Sequence, residues 1–344
     1  MVTFRFYLVS IVAFFLALAV GVVLGSVLDG GISDSLKDRL ARVEANLNDT
    51  VASIDDKNTE IKDLQQYVDA SAPFAVEGQL PETTAVVVIE PGIELGPVQD
   101  LVLRLRQSGA SVAGILALEP SWSLKDRADR EQLAQIAESA DVSVAQLQGA
   151  VWSLILRPAE AESASASSTT TTTNTTIPAG QDPSSTVPVT TSVPAPALDI
   201  LNNAVLKQLQ EAGFVKLLNV DGADGAGGQR LSLFVVTGTN SSLGKPGSAA
   251  GELVEAASAL KIPTVLAELF VPAPPEQENP AQRGEILRSA VAGRELTIST
   301  VNDLDLVAGR VAAVLAAGDL QKGTSGNFGY GPGVDGVLPQ WLGP

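Results

Sequence analysis

Two glutamates in matching settings, Glu90-Pro91 and Glu119-Pro120, are the residues whose type and placement suggest chemistry. Each closes an apolar run, VVVIEP in one case and ILALEP in the other. If those runs are neighbouring strands, about 4.8 Å apart, the carboxylates could share a proton or hold a hard cation. The competing reading is a glutamate that precedes a proline turn at a solvated strand end, and position in a fold does not decide between them.

Little else could react. Histidine and cysteine are absent and Met1 is the only methionine. That composition removes disulfides, thiol nucleophiles, Ser-His-Asp triads and ordinary zinc sites together. It also removes the thiolate, thioether and imidazole ligands that copper(I) prefers. Two glycine-rich stretches fail as phosphate loops. In GTNSSLGKPG, Gly238 and Gly244 enclose one residue too many, and Pro246 stands where a magnesium-binding hydroxyl is needed. The stretch from Gly323 to Gly333 has no helix after it. The residues therefore assign no catalytic group, no cofactor and no metal ligand beyond Glu90 and Glu119 as hard-cation candidates. The chain is not read as an enzyme.

Alternating strand and helix patterns must position the two glutamates. TTAVVVIEPG, PVQDLVLRLRQSG and SVAGILALEP read as one βαβ unit with a right-handed crossover, trailed by helical patterns to residue 157. From residue 158 to 197 the composition changes: 17 of 40 residues are Ser or Thr and 6 are Pro. Such a stretch cannot build a core and predicts a disordered linker, open to O-glycosylation outside a cell. Alternation resumes over 198–322, and 323–344 reads as an irregular glycine-rich tail. Residues 83–157 supply only two strands, too few to bury both faces of a sheet. The expected fold is one doubly wound, mostly parallel α/β sheet built from both halves. Two separate domains is the alternative.

Ahead of this region, 23 residues from Phe6 to Leu28 carry no charge, enough to cross a bilayer and longer than a signal-peptide core. Residues 1–29 are read as a retained transmembrane anchor. Arg5 and the amino terminus favour a cytoplasmic start, which puts the rest of the chain outside the membrane as a single-pass protein. Ala13, Ala17, Gly21 and Gly25 line one face of that helix and would let two copies approach closely. Residues 30–72 follow a heptad pattern, with Leu40, Leu47, Ile54, Ile61 and Val68 at a and Leu36, Val43 and Leu64 at d. The remaining d positions are the polar Thr50 and Lys57, and Pro73 is expected to end the helix. A parallel homodimeric stalk about 50 Å long is the expectation; a single amphipathic helix lying on the globular part is the alternative. The body of the chain carries the whole net charge of −17, which disfavours nucleic acid as a partner.

Several of these stretches together resemble the actinobacterial copper transport protein B, or MctB-like, family. They are FLALAVGVVLGS at 15–26, the coiled coil, VVVIEPG, GASVAGILAL, TISTVNDLDLVAGRVAAVLAAG and GNFGYGPG. The resemblance implies a role in copper export or homeostasis in the cell envelope. Copper enters by that route alone. Some relatives look like partners in cell-division complexes that activate peptidoglycan hydrolases, so the alternative function is a dimeric coiled-coil scaffold in such a complex. Relatives are expected to carry His-Tyr where this chain has Asn327 and Phe328, a departure that removes an imidazole from that place.

The reading of a retained anchor has a direct check. N-terminal sequencing of the protein isolated from cells should find a start ahead of Gly25; a start beyond it would mean that the apolar segment is cut away.

Overall fold

The computed structural model describes residues 4–139, 142–157, 200–218, 230–239, 241–274, 276–277 and 280–339, without the side chains of 4–6 and 26–35. The expected linker at 158–197 lies outside the described residues. The chain divides into two compact units, residues 1–67 and 68–344.

The first unit is helix. α1 runs unbroken from Phe4 to Val76, so the anchor and the stalk read from the sequence are parts of one helix. Its stretch Tyr7–Gly25 is long and apolar enough to cross a membrane and is exposed throughout. Further along, Leu36, Leu40, Val43, Leu47, Ile54, Ile61 and Leu64 are all at least half exposed. The heptad stripe is exposed.

The second unit opens with the end of α1, and Pro73 does not stop the helix there. A proline removes one backbone bond, to the carbonyl four residues earlier, at a cost of about 3 kcal/mol. Ala72 and Val76 bury themselves in the core of the unit, and Asp69 pairs with the buried Arg104, which hold the last turns in place despite that loss.

Seven strands then form one sheet in the order β3-β2-β1-β4-β5-β6-β7. They are β1 (Thr83–Ile89), β2 (Ser111–Leu118), β3 (Val215–Leu218), β4 (Arg230–Gly238), β5 (Thr264–Leu269), β6 (Ser299–Val301) and β7 (Asn327–Phe328). Only β3 is antiparallel to its neighbour. β1 pairs with β2 on one side and, over seven residues, with β4 on the other, so both halves of the chain build the same sheet. Strands buried on both faces need near-continuous apolar runs, which VVVI, LFVV and TVLA supply.

Two cores follow from the alternation along each strand. Val86, Val88, Leu233 and Val235 face one core with α4 (Val144–Leu156), α6 (Ala249–Ala259) and α7 (Glu285–Val291). Val87, Ile89, Phe234 and Val236 face the other with α2 (Leu95–Gln107) and α8 (Val307–Gln321). The first core also takes Leu133 from α3 (Arg127–Ile136) and Leu206 and Leu209 from α5 (Ala204–Glu211). Trp122 and Trp152 stack at 5.0 Å within it, and the Trp152 indole N–H donates to the carbonyl of Ala249 at 2.9 Å. Asn203 caps α5 and donates to the carbonyls of Leu154 and Ile155, so the two ends of the stretch between α4 and α5 are fastened together.

The glycine-rich tail is not wholly irregular, because it contributes β7. Its residues carry no apolar run, and local bonds hold it instead. Asn327 accepts from Thr300 at 2.8 Å, its backbone N–H donates to Asp335 at 2.7 Å, and Phe328 is buried. The crossover from β6 to β7 runs in the same direction as that from β4 to β5 but uses the opposite face of the sheet. It therefore has the opposite hand, a rarity tolerated here by a strand of two residues.

Glycine is required where the chain doubles back before α8. A Cβ on Gly309 would lie 2.0 Å from the carbonyl oxygen of Asp303, which already accepts from Leu306 N–H. Gly309→Ala should lower unfolding stability by at least about 2 kcal/mol, read as a lower urea midpoint at unchanged slope. An unchanged midpoint would contradict this packing.

Candidate functional site

The parallel strands all end at one edge, and acids collect there: Glu90 after β1, Glu119 after β2, Glu268 near the end of β5, and Asp303 and Asp305 after β6. Strand order reverses between β1 and β4. In open α/β sheets such a switch point opens a crevice outside the strand ends, because the flanking connections leave to opposite faces. Glu90 and Thr237 stand on its two sides.

Glu90 is nine-tenths buried, and its carboxylate accepts hydrogen bonds from the hydroxyls of Thr237 and Ser241. Ser241 belongs to the loop GTNSSLGKPG, where it also accepts from Leu243 N–H at 2.9 Å. That loop is a strand-to-helix turn, closed by Ser248 capping α6. Burial pushes the Glu90 pKa up, against the two hydroxyls that favour the anion.

Glu90 and Glu119 line a common cavity of about 210 Å³ that also includes Trp122, Lys125 and Ser242. They do not form the level pair that matching strand ends suggest. Past a bulge in β2, Ile89 lies opposite Ala117, which sets Glu90 level with Leu118. Glu119 follows one residue further along, and its backbone N–H donates to Phe214 beside β3. Glu90 takes its hydrogen bonds from the β4 side instead. A second cavity of about 600 Å³ lies across the switch point, lined by Glu90, Ile93, Glu94, Ser241, Leu269 and Val271 among others. Among the described residues no group of three or more acids is gathered in a metal-binding arrangement. The oxygen donors present suit hard cations and do not fit copper(I).

The sequence reading missed a second acidic group. Glu268 and Asp303 are fully buried. Glu268 accepts from Gly284 N–H at 2.6 Å through one oxygen, while its other oxygen is sealed off without a partner. Both Asp303 oxygens are sealed off too, apart from a glancing contact with its own backbone N–H. Arg283 serves the group as shared cation. It forms a two-pronged pair with Asp305 at 2.5 and 2.9 Å, donates to the Asn302 carbonyl, and lies 4.4 Å over the Phe270 ring. Burial raises the Glu268 pKa to about 7 and that of Asp303 to about 6, with Arg283 opposing both. The space around Asp303 is filled by backbone: Cβ atoms on Gly309 and Gly329 would fall 2.7 and 3.0 Å from its Oδ1. Burial makes these acids hold their protons to higher pH than exposed carboxyls do. A sequence signal did exist, since Glu268 interrupts an otherwise apolar strand, but no proline marks it as Pro91 and Pro120 mark their neighbours.

Linkage fixes the sign of the consequence. Glu268 binds a proton more tightly in the folded chain, so the stability it contributes is complete below about pH 4.5 and is lost as pH rises through about 7. Glu268→Gln should therefore raise the melting temperature at about pH 8 and change it little at about pH 4.5. Equal shifts at both values would show that the carboxyl does not titrate in that window.

No curated protein matches the chain. A family model does, the one described as "Copper transport outer membrane protein, MctB", over residues 1–339. That span takes in the apolar helix, the heptad stripe, the switch-point edge and the β7 tail, and so this chain belongs to the MctB family.

Proposed function

We propose that this protein is a single-pass envelope component of a copper-transport-related system, that it works as a parallel homodimer, and that it acts through protein contacts. The carrying observation is the exposed apolar stripe of α1, from Leu36 to Leu64. Apolar surface left open to water costs about 25 cal/mol per Å², and a second α1 is a covering of the right period and length. The flanking positions agree with parallel register. Arg39 at g meets Glu44 at e of the partner helix, and Asn46–Val51, Ser53–Asn58 and Glu60–Gln65 bring no like charges together. Thr50 and Lys57 at d limit the strength of the pair. Ala13, Ala17, Gly21 and Gly25 provide a smooth face for close approach within the membrane.

Arg5 and the amino terminus ahead of the apolar segment support an orientation with the α/β domain outside the cytoplasmic membrane. Copper export by direct coordination gains no support from the donor set, which offers neither thiolate, thioether nor imidazole beyond Met1. A role beside the copper route, holding or regulating another component, agrees with both family and chemistry. The partner in a cell-division or cell-wall complex raised by the resemblance would use the same architecture.

The chain has no native cysteine, so single cysteines report pairing without background. Leu47→Cys and Ile54→Cys at a positions should form disulfide-linked dimers under mild oxidation in membranes, and Asp56→Cys on the outer face should not. Equal crosslinking at all three, or none, overturns the dimer. In parallel, copper(I) titration of the full chain should show no saturable binding tighter than about 1 μM.

A further inference from the structure

We propose that the larger cavity at the switch point binds an aliphatic diamine or polyamine, with Glu90 taking one ammonium group and Glu94 a second. Its volume, about 600 Å³, lies within the range of small-molecule sites and far exceeds what a bare metal ion needs. Among the described residues, the charged groups lining it are Glu90 and Glu94, with no lysine or arginine. Ile93, Leu269 and Val271 add apolar surface to the same lining. Two carboxylates and an apolar lining offer what two ammonium groups joined by a methylene chain require. Anions are opposed by both carboxylates and by the net charge of −17.

Glu90 is prepared for this task in a way that an incidental surface acid is not. Thr237 on β4 and Ser241 on the following loop both donate to it, so two elements fix one carboxylate at the floor of the cleft. Its burial removes competing water, and a cation arriving there meets a desolvated charge. Ser242, exposed at the mouth, lines this cavity and the smaller one beside Glu119.

Calorimetric titration of the full-length protein in detergent, with cadaverine and spermidine as probes at low ionic strength, tests the assignment. Saturable binding with a Kd of about 1 mM or tighter is expected, together with no response to 1,5-pentanediol. Glu90→Gln should weaken binding at least about tenfold. Ser242→Trp should block the mouth without disturbing the core, which guards against a Glu90 variant that fails to fold. Absence of saturable binding overturns the proposal. So does binding that both variants leave unchanged, which would place the amines on the general acidic surface. Displacement of cadaverine by an equal concentration of magnesium also overturns it, in favour of a hard-cation site. The crosslinking pattern along α1 is independent of each of these outcomes, so the two readings fail separately.

Discussion

The pairing of β1 with β4 is the contact on which the α/β unit depends. It joins residues 83–89 to residues 230–236 in unbroken register, across the whole intervening chain. Without it, β1 and β2 would expose the faces that now bury Val86, Val88, Val87 and Ile89. The same pairing creates the reversal of strand order, and with it the crevice floored by Glu90. Long-range parallel pairing closes a large loop before any contact rewards it, which makes this step slow relative to the local helices. The stacked Trp122 and Trp152, with the Trp152 bond to Ala249, supply a second tie between the same two halves.

Much of this was legible in the residues because the signals are strong ones. A long uncharged run, apolar residues at heptad spacing, and buried strands bounded by proline or glycine each follow from a period or a length that water enforces. One sheet from both halves was legible by counting strands. Less local features were hidden. The level of Glu119, one residue beyond Glu90 across the β1–β2 pairing, depends on a bulge in β2 with no distinctive composition. β7 was invisible because Asn327 and Phe328 belong to no apolar run and are held by hydrogen bonds with Thr300, Asn302 and Asp335. The continuation of α1 through Pro73 reflects tertiary burial of Ala72 and Val76 overriding a local breaker.

The acidic group around Arg283 shows a different limit of sequence reading. Nothing in Glu268, Asp303 or Asp305 taken singly reveals that one guanidinium serves all three. Their burial follows from the tail folding back over the strand ends, where Asn302 exchanges hydrogen bonds with the backbone of Tyr330 and Arg288 donates to Pro332. Glycines 309 and 329 make room for that closure and leave no space for an ion. Two neighbouring acidic sites at one sheet edge thus differ in kind: one is packed shut, the other opens on a cleft.

The fastening of Asn203 to the end of α4 bears on how this protein can change over time. With the β1–β4 pairing, these bonds tie the two halves together through residues on either side of the intervening stretch. Doubling its length would add only about 0.6 kcal/mol of closure entropy. A protease that severed it would leave two fragments still joined through β1 and β4. Evolution is correspondingly free to lengthen, shorten or decorate this segment while the architecture on either side stays intact.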